Sequence, residues 1–183
     1  MDKRRFFLIW TLIFLYGCSD ENSIRTYRIA KSKQIVQKEL SKDSSSRFLW
    51  IKPQDWIVSN GSNMRIASFD IPFENGDKGD LSVIELAGTG GGLESNVNRW
   101  RRQLNLQPLS LSKIQDDLTD YNGKMGSYSI IEITNKENDA SFLSAIIPMN
   151  DKTIFVKLSG TPTGIKFSYN NFISFCSSIN LND

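Results

Sequence analysis

The chain has 183 residues, with 22 basic against 20 acidic side chains and no histidine. Without histidine it cannot build a Ser-His-Asp or Cys-His catalytic group or the usual zinc site. Near-balanced charge excludes the basic footprint of a nucleic-acid binder, and only Cys18 and Cys176 are available for thiol chemistry.

The chain opens "MDKRRFFLIWTLIFLYGCSD". Lys3, Arg4 and Arg5 form a basic start, and Phe6 to Tyr16 is apolar except for Thr11. That length suits a secretory signal and is short for a spanning helix. "LYGC" resembles the lipobox of bacterial lipoproteins. The resemblance implies that residues 1–17 are a signal peptide cleaved before Cys18, and that Cys18 is lipidated and holds the protein on a membrane. Acyl burial contributes about 0.8 kcal/mol per CH₂, so several chains make a stable anchor. The alternative is an uncleaved N-terminal anchor helix. "RRFFL" also resembles a twin-arginine signal, but the very apolar core favours the general secretory route. In such lipoproteins an aspartate directly after the cysteine often marks retention in the inner membrane. Here Ser19 holds that place and Asp20 comes one later. The expectation is a lipid-anchored envelope protein on the outer membrane, facing the periplasm.

Losing the leader removes Lys3, Arg4 and Arg5 against Asp2, so the mature chain carries equal numbers of both signs. With Cys18 acylated, Cys176 stands alone and no intrachain disulfide forms. Residues 18–47 read as a flexible tether, polar and with an excess of basic side chains. Anionic lipid would attract it weakly, or it is a plain solvated spacer. "IAKSKQIVQKEL" within it is a marginal helix at best.

Residues 48–183 read as a single α+β domain. "FLWIKPQDWIV" places Trp50 and Trp56 around Pro53, which predicts a short strand, a turn and a second short strand. The tryptophans read as core plugs and lids, or as a stacking platform for a sugar. "MRIASFDIP" and "DLSVIELAG" are strands joined by "FENGDKG", with Asn75-Gly76 and Lys78-Gly79 supplying turn chemistry. In the second strand Leu81, Val83 and Ala87 share one face and Ile84 and Leu86 the other, so it is central and covered on both sides.

After a glycine run, Leu93, Val97, Trp100 and Leu104 form a helix stripe that ends before Pro108. "SLSKIQDDL" begins a second short helix capped by Ser110 or Ser112. "KMGSYSIIEIT", "SFLSAIIPM" and "TIFVKLSG" form a meander with turns at "NKENDA" and "NDK". Ile165, Tyr169, Phe172, Cys176 and Ile179 make a closing helical stripe, in which Cys176 is a small buried hydrophobe. The sum is a mostly antiparallel twisted sheet of five or more strands with a central and a C-terminal helix packed on it.

"NVNRWRRQLN", with Asn96, Val97, Asn98, Arg99, Trp100, Arg101 and Gln103, resembles a hallmark of a group of uncharacterised bacterial lipoproteins. Asn105 stands where that group has glycine, and asparagine also tolerates the left-handed conformation. The layout and the closing "KLSG…F..F..S" are similar to the PsbP and Mog1-like fold of photosystem accessory proteins and small bacterial lipoproteins. Neither resemblance implies an activity.

The stretch "GTGGGLESNVNRWRRQ" raises the sharpest functional question. A glycine loop at a helix N-terminus can cradle a phosphate. However, no lysine stands where the Walker pattern needs one, and Gly88, Gly90 and Leu93 give only two of three dinucleotide glycines. The competing reading is structural: Gly90, Gly91 and Gly92 permit positive φ and close approach. Asn96, Arg99 and Gln103 recur along one flank of the apolar stripe. They could meet the protein's own loops or form a ligand or partner face. Asp116, Asp117 and Asp120 gather without a spacing that fixes an acid/base pair or a metal, and read as a solvated turn. The sequence thus names no catalytic residue, no metal and no cofactor, and leaves the oligomeric state open. Three functional readings follow. First is a membrane-tethered, non-catalytic interaction or accessory module with an envelope protein partner. Second is a binder of a small anion or glycan through Asn96, Arg99 and Gln103. Third is a hydrolase.

Overall fold

The computed structural model describes residues 47–74 and 76–182. The signal peptide, Cys18, the tether up to residue 46 with its candidate helix, and Asn75 lie outside the described residues.

Seven strands form one antiparallel sheet in the order β2-β3-β4-β8-β7-β6-β5. They are β2 (Ile57–Val58), β3 (Ala67–Pro72), β4 (Lys78–Ala87), β5 (Thr119–Gly123), β6 (Gly126–Asn135), β7 (Ala140–Pro148) and β8 (Lys152–Gly160). A separate two-stranded sheet joins β1 (Phe48–Leu49) to β9 (Asn180–Leu181). Helices α1 (Leu93–Gln103) and α2 (Leu111–Asp116) follow β4, and α3 (Pro162–Ser178) follows β8. The fold is therefore α+β with the expected antiparallel sheet and two principal helices.

Alternation along the strands builds two cores. On one face Leu81, Val83, Leu143, Ala145, Ile147, Ile154, Val156 and Leu158 pack with Ile165, Phe172 and Phe175 of α3. On the other, Ile131, Ile133 and Phe155 pack with Val97, Trp100 and Leu104 of α1 and Ile114 of α2. Strand β4 lies between β3 and β8. It gives Leu81 and Val83 to the first core and Leu86 to the edge of the second, as a strand covered on both faces should.

Several local expectations change. The two short strands around Pro53 exist, and Trp56 N–H donates to Pro53 O at 3.2 Å, but the strands do not pair with each other. Phe48 sits opposite Leu181 and Ile57 opposite Asp70. Lys78-Gly79 belongs to β4 rather than to the turn, which closes through Phe73 N–H to Asp77 O at 2.8 Å. Gly79 is required inside the strand because the Phe73 ring lies where its Cβ would project. Arg47, read as the end of the tether, is fastened to the domain. Its carbonyl accepts from Asn182 N–H at 2.9 Å and its guanidinium pairs with Glu85 at 2.9 Å. "TDYNG", which holds Asp120, is a strand and not a turn: β5 pairs with β6 from Thr119↔Ile130 to Gly123↔Gly126.

Candidate functional site

The glycine stretch turns the chain from β4 into α1, and three of its amides are used internally. Gly88 N–H donates to Asp151 O at 2.7 Å, Gly90 N–H to Ala87 O at 3.0 Å and Gly92 N–H to Thr89 O at 3.2 Å. Gly88 O accepts from the Thr153 hydroxyl at 2.7 Å, which fixes the loop to the start of β8. Gly90, Gly91 and Gly92 all have positive φ, at 60°, 95° and 87°. Gly90 also lies against the Phe155 ring, which leaves no space for a Cβ. These features describe a tight connection pressed onto the core, not an open phosphate cradle.

The three polar residues predicted to line up on α1 separate in the structure. Asn96 is 2 % exposed, and its Nδ2 donates to Gly90 O at 2.9 Å and Gly92 O at 2.8 Å. It is the internal cap of the glycine loop. Arg99 is exposed; its Nη2 donates to Asn96 Oδ1 at 2.7 Å and, among the described residues, its guanidinium reaches no loop carbonyl or carboxylate. Gln103 is exposed at the last helical position and accepts from Lys157 Nζ at 3.2 Å. The rest of the motif is structural. Val97 and Trp100 are buried, and Asn98 clamps Leu109 through both its amide atoms at 2.8 Å. Arg101 Nε donates to Gln107 O at 2.7 Å. Asn105 has φ 57°, the left-handed conformation expected of a residue in glycine's place.

Arg99, Trp100 and Gln103 form one wall of a groove of about 350 Å³. Its floor is Ser82, Ile84 and Leu86 of β4 with Phe155 and Lys157 of β8, and Met64 closes one end. Register orders this floor: Ser82 lies opposite Lys157, and Ile84 opposite Phe155. The groove is polar where Ser82, Lys157 and Gln103 meet and apolar along Ile84, Leu86, Trp100 and Phe155. Sequence reasoning missed Lys157. The signal was its place two residues after Phe155, on the strand face that meets the helix.

Lys157 is half-buried. Its ammonium lies 4.3 Å from the centroid of the Phe142 ring, and desolvation pulls its pKa below the ordinary lysine value. Asp80 opposes this shift, while Arg65 and Arg99 add to it. Among the described residues no carboxylate pairs with Lys157 or Arg99. Asp80 is engaged by Arg65 through two bonds of 2.7 and 2.8 Å.

A second concavity of about 700 Å³ lies beside β2 and β3, bounded by Trp50, Lys52, Val58, Arg65, Ile66 and Phe69 among others. Val58 and Ile66 are the exposed large apolar side chains in its lining, beside Lys52, Ser59, Asn60, Ser62 and Arg65. Among the described residues, every exposed large hydrophobic side chain except Leu111 and Phe167 falls between Leu49 and Ile66. Trp56 is 2 % exposed, with ring centroids 5.0 Å from Phe175 and 5.9 Å from Phe69, so it is a core plug. Trp50 is half-buried at the rim, 6.0 Å from Phe175.

The carboxylates do not converge. Asp116 ends α2, Asp117 caps it, and Asp120 accepts from Ser129 Oγ at 2.6 Å on the edge strand. All three are exposed. Among the described residues no cluster of three acidic, cysteine or histidine side chains could hold a metal ion.

The geometry defines a two-core α+β module with a polarised groove on one face and an apolar rim at one edge. Neither a family model nor a curated protein matches the sequence. Among solved structures, the chain is similar to the cyanobacterial PsbP (CyanoP) of Synechocystis sp. PCC 6803. The TM-score is 0.49 and the identity 16%, over 76% of this chain and 89% of that one. It is also similar to a protein of Bacteroides thetaiotaomicron, with TM-score 0.47 and 10% identity over 75% of this chain. The chain covers 46% of the length of the Bacteroides protein, less than half.

Proposed function

We propose that the protein is a membrane-tethered accessory module of the cell envelope, held by lipid on Cys18, that docks a protein partner through the surface between Leu49 and Ile66. The observation that carries this reading is the concentration of exposed apolar side chains there: Leu49 is 51 % exposed, Ile51 68 %, Ile57 59 %, Val58 72 % and Met64 68 %. Exposed apolar side chains gathered in one stretch of chain, with Val58 and Ile66 beside polar groups in one concavity, favour an interaction surface. Strand β2 is also the edge of the large sheet. An edge strand offers unpaired backbone groups to an added strand, and its side chains then contact alternate positions of the incoming segment. The partner fitting this surface is an extended apolar segment of another envelope protein. The match of Asn96 to Gln103 with the lipoprotein motif supports placing the chain in that group, and the "LYGC" sequence supports the anchor.

Two experiments test it. Cys18→Ala should release the protein from membranes or leave an uncleaved precursor; sedimentation of a cleaved Ala variant with membranes would refute the anchor. A photo-crosslinking side chain in place of Val58 should give a discrete adduct in native membranes that Ile57→Asp removes. The same group in place of Lys166 on α3 should not. Equal adducts from both positions would refute docking at β2.

A second reading has its own observation. Arg99 lines the concave groove on α1 and lacks an anionic partner, as a small-anion site requires.

A further inference from the structure

We infer that the groove between α1 and strands β4 and β8 binds a carboxylate with an apolar body, its charge at Lys157 and Arg99 and its body along Ile84, Leu86, Trp100 and Phe155. This rests on the second reading above and names its ligand class.

Most of the polar side chains around α1 have structural duties. Asn96 closes the glycine loop, Asn98 clamps Leu109, and Arg101 holds Gln107 O. Asn135 Nδ2 donates to Leu104 O at 2.8 Å and finishes the helix. Of those that line the groove, Gln103, Arg99 and Lys157 are left. They are bonded to nothing more than neutral amides and the Phe142 ring. Two cations line this concavity, and among the described residues neither has a carboxylate partner, so the groove carries an unmet charge.

Lysine is an unusual residue to place there for stability. It stands in the strand "TIFVKLSG", between buried Val156 and Leu158, on the face that meets Trp100 and Phe155. An apolar residue would complete that face. Its cross-strand neighbours are Ser82 and Ser144. Ser144 is fully buried, and its hydroxyl has no hydrogen-bond partner among the described residues. The floor under the cation is thus a polar row, Ser82–Lys157–Ser144, beside the apolar row Ile84–Phe155–Ile146. Burial already disfavours the charged lysine, so an arriving anion regains the lost charge stabilisation in a medium of low dielectric.

The rest of the groove sets the body of the ligand. Ile84, Leu86, Trp100 and Phe155 offer apolar and aromatic surface, with the Trp100 and Phe155 rings edge-on at 6.1 Å. A volume of about 350 Å³ falls at the small end of ligand pockets, suited to an aryl or short acyl body. A carboxylate finds two cationic donors in this lining, the Arg99 guanidinium and the Lys157 ammonium. A bare inorganic anion would leave the apolar half of the groove unused.

The test uses the full chain in lipid nanodiscs, with empty nanodiscs subtracted, and 4-phenylbutyrate as the probe. Calorimetry should show saturable binding. The neutral 4-phenyl-1-butanol should bind at least tenfold more weakly, and inorganic sulfate should not compete at equal concentration. Lys157→Met, which keeps the length of the side chain, and Arg99→Gln, on the exposed helix face, should each weaken phenylbutyrate binding tenfold or more without lowering the melting temperature. Equal affinity for the alcohol, or unchanged phenylbutyrate affinity in both variants, would overturn the inference. Sulfate binding that depends on Lys157 without phenylbutyrate binding would overturn the amphipathic ligand and keep the anion reading. Binding of neither would remove both.

Discussion

Arg99 Nη2 donates to Asn96 Oδ1 across 2.7 Å, one helical turn apart, and the bond ties an exposed guanidinium to the buried amide that closes the glycine loop. The two residues look equivalent in the sequence and have opposite energetic roles. Asn96→Ala strands the Gly90 carbonyl, while Gly92 O still accepts from the residue 96 backbone N–H, and should cost about 1–3 kcal/mol. Arg99→Lys changes one solvent-facing bond to a neutral acceptor and should cost less than about 0.5 kcal/mol. Urea melts of both variants check this. A larger loss for Arg99→Lys would show that the guanidinium, not the amide, supports the loop.

Trp100 anchors α1 to the sheet. It is 4 % exposed and meets Phe155 edge-on at 6.1 Å. Trp100→Ala should cost about 3–5 kcal/mol, as buried aromatic truncations do. Trp100→Phe should recover part of that loss. Equal destabilisation by the two changes would mean that a phenyl ring recovers none of the packing that the indole makes against Phe155.

The glycine run yields a contrast between neighbours. Gly90 and Gly91 both have positive φ, but a Cβ at Gly90 meets the Phe155 ring, while one at Gly91 meets nothing within 4 Å. Gly91→Ala carries only the left-handed conformational cost of about 1–2 kcal/mol. Gly90→Ala carries that cost and a collision with the core, and should be the more destabilising by about 1–3 kcal/mol. Thermal melts of the pair decide it; equal losses would show that Phe155 yields freely.

The parts legible in the sequence are those governed by local period. The meander from β6 to β8, both helix stripes and the two-faced β4 all follow from side-chain alternation within one element. What escaped is non-local or polar. Phe48 meets Leu181 only because the two ends of the domain are brought together. Strand β5 reads as a turn because it is an edge strand, where exposed polar residues such as Asp120 and Asn122 are normal. The site divides the same way. Helical spacing found Arg99 and Gln103, yet spacing alone could not separate buried Asn96 from them. Lys157 joins Gln103 across 54 residues of sequence, through a register that only the folded sheet supplies.

Cys176 is buried in α3, and burial pushes its thiol pKa well above the ordinary value. A buried thiol kept protonated reacts slowly, since the thiolate is the nucleophile. Native protein should therefore resist iodoacetamide at Cys176 at pH 8 and become labelled in urea, as read by peptide mass mapping. Melts of residues 48–183 with and without reductant should coincide. Rapid native labelling at Cys176 would contradict its packing beside Phe172.

Lys157 makes a prediction of sign. Burial lowers its folded-state pKa; Asp80 opposes the shift, and Arg65 and Arg99 reinforce it. The ordinary lysine value is about 10.4. Between the lowered folded value and that ordinary one, the unfolded chain binds more protons, so this residue makes stability rise with pH. Below the folded value the full cost of the charged lysine is present; above the ordinary value it is gone. Lys157→Met removes that cost, so the variant should melt higher than the parent at pH 7. Its advantage should shrink as pH climbs toward 10.5, and taking the difference between the two proteins cancels the other lysines and tyrosines. Saturating 4-phenylbutyrate should reverse the order at pH 7, because only the parent gains a ligand that stabilises the folded state. An advantage of Lys157→Met that grows with pH would mean that the lysine is stabilised by its surroundings, and that its charge is already met within the fold.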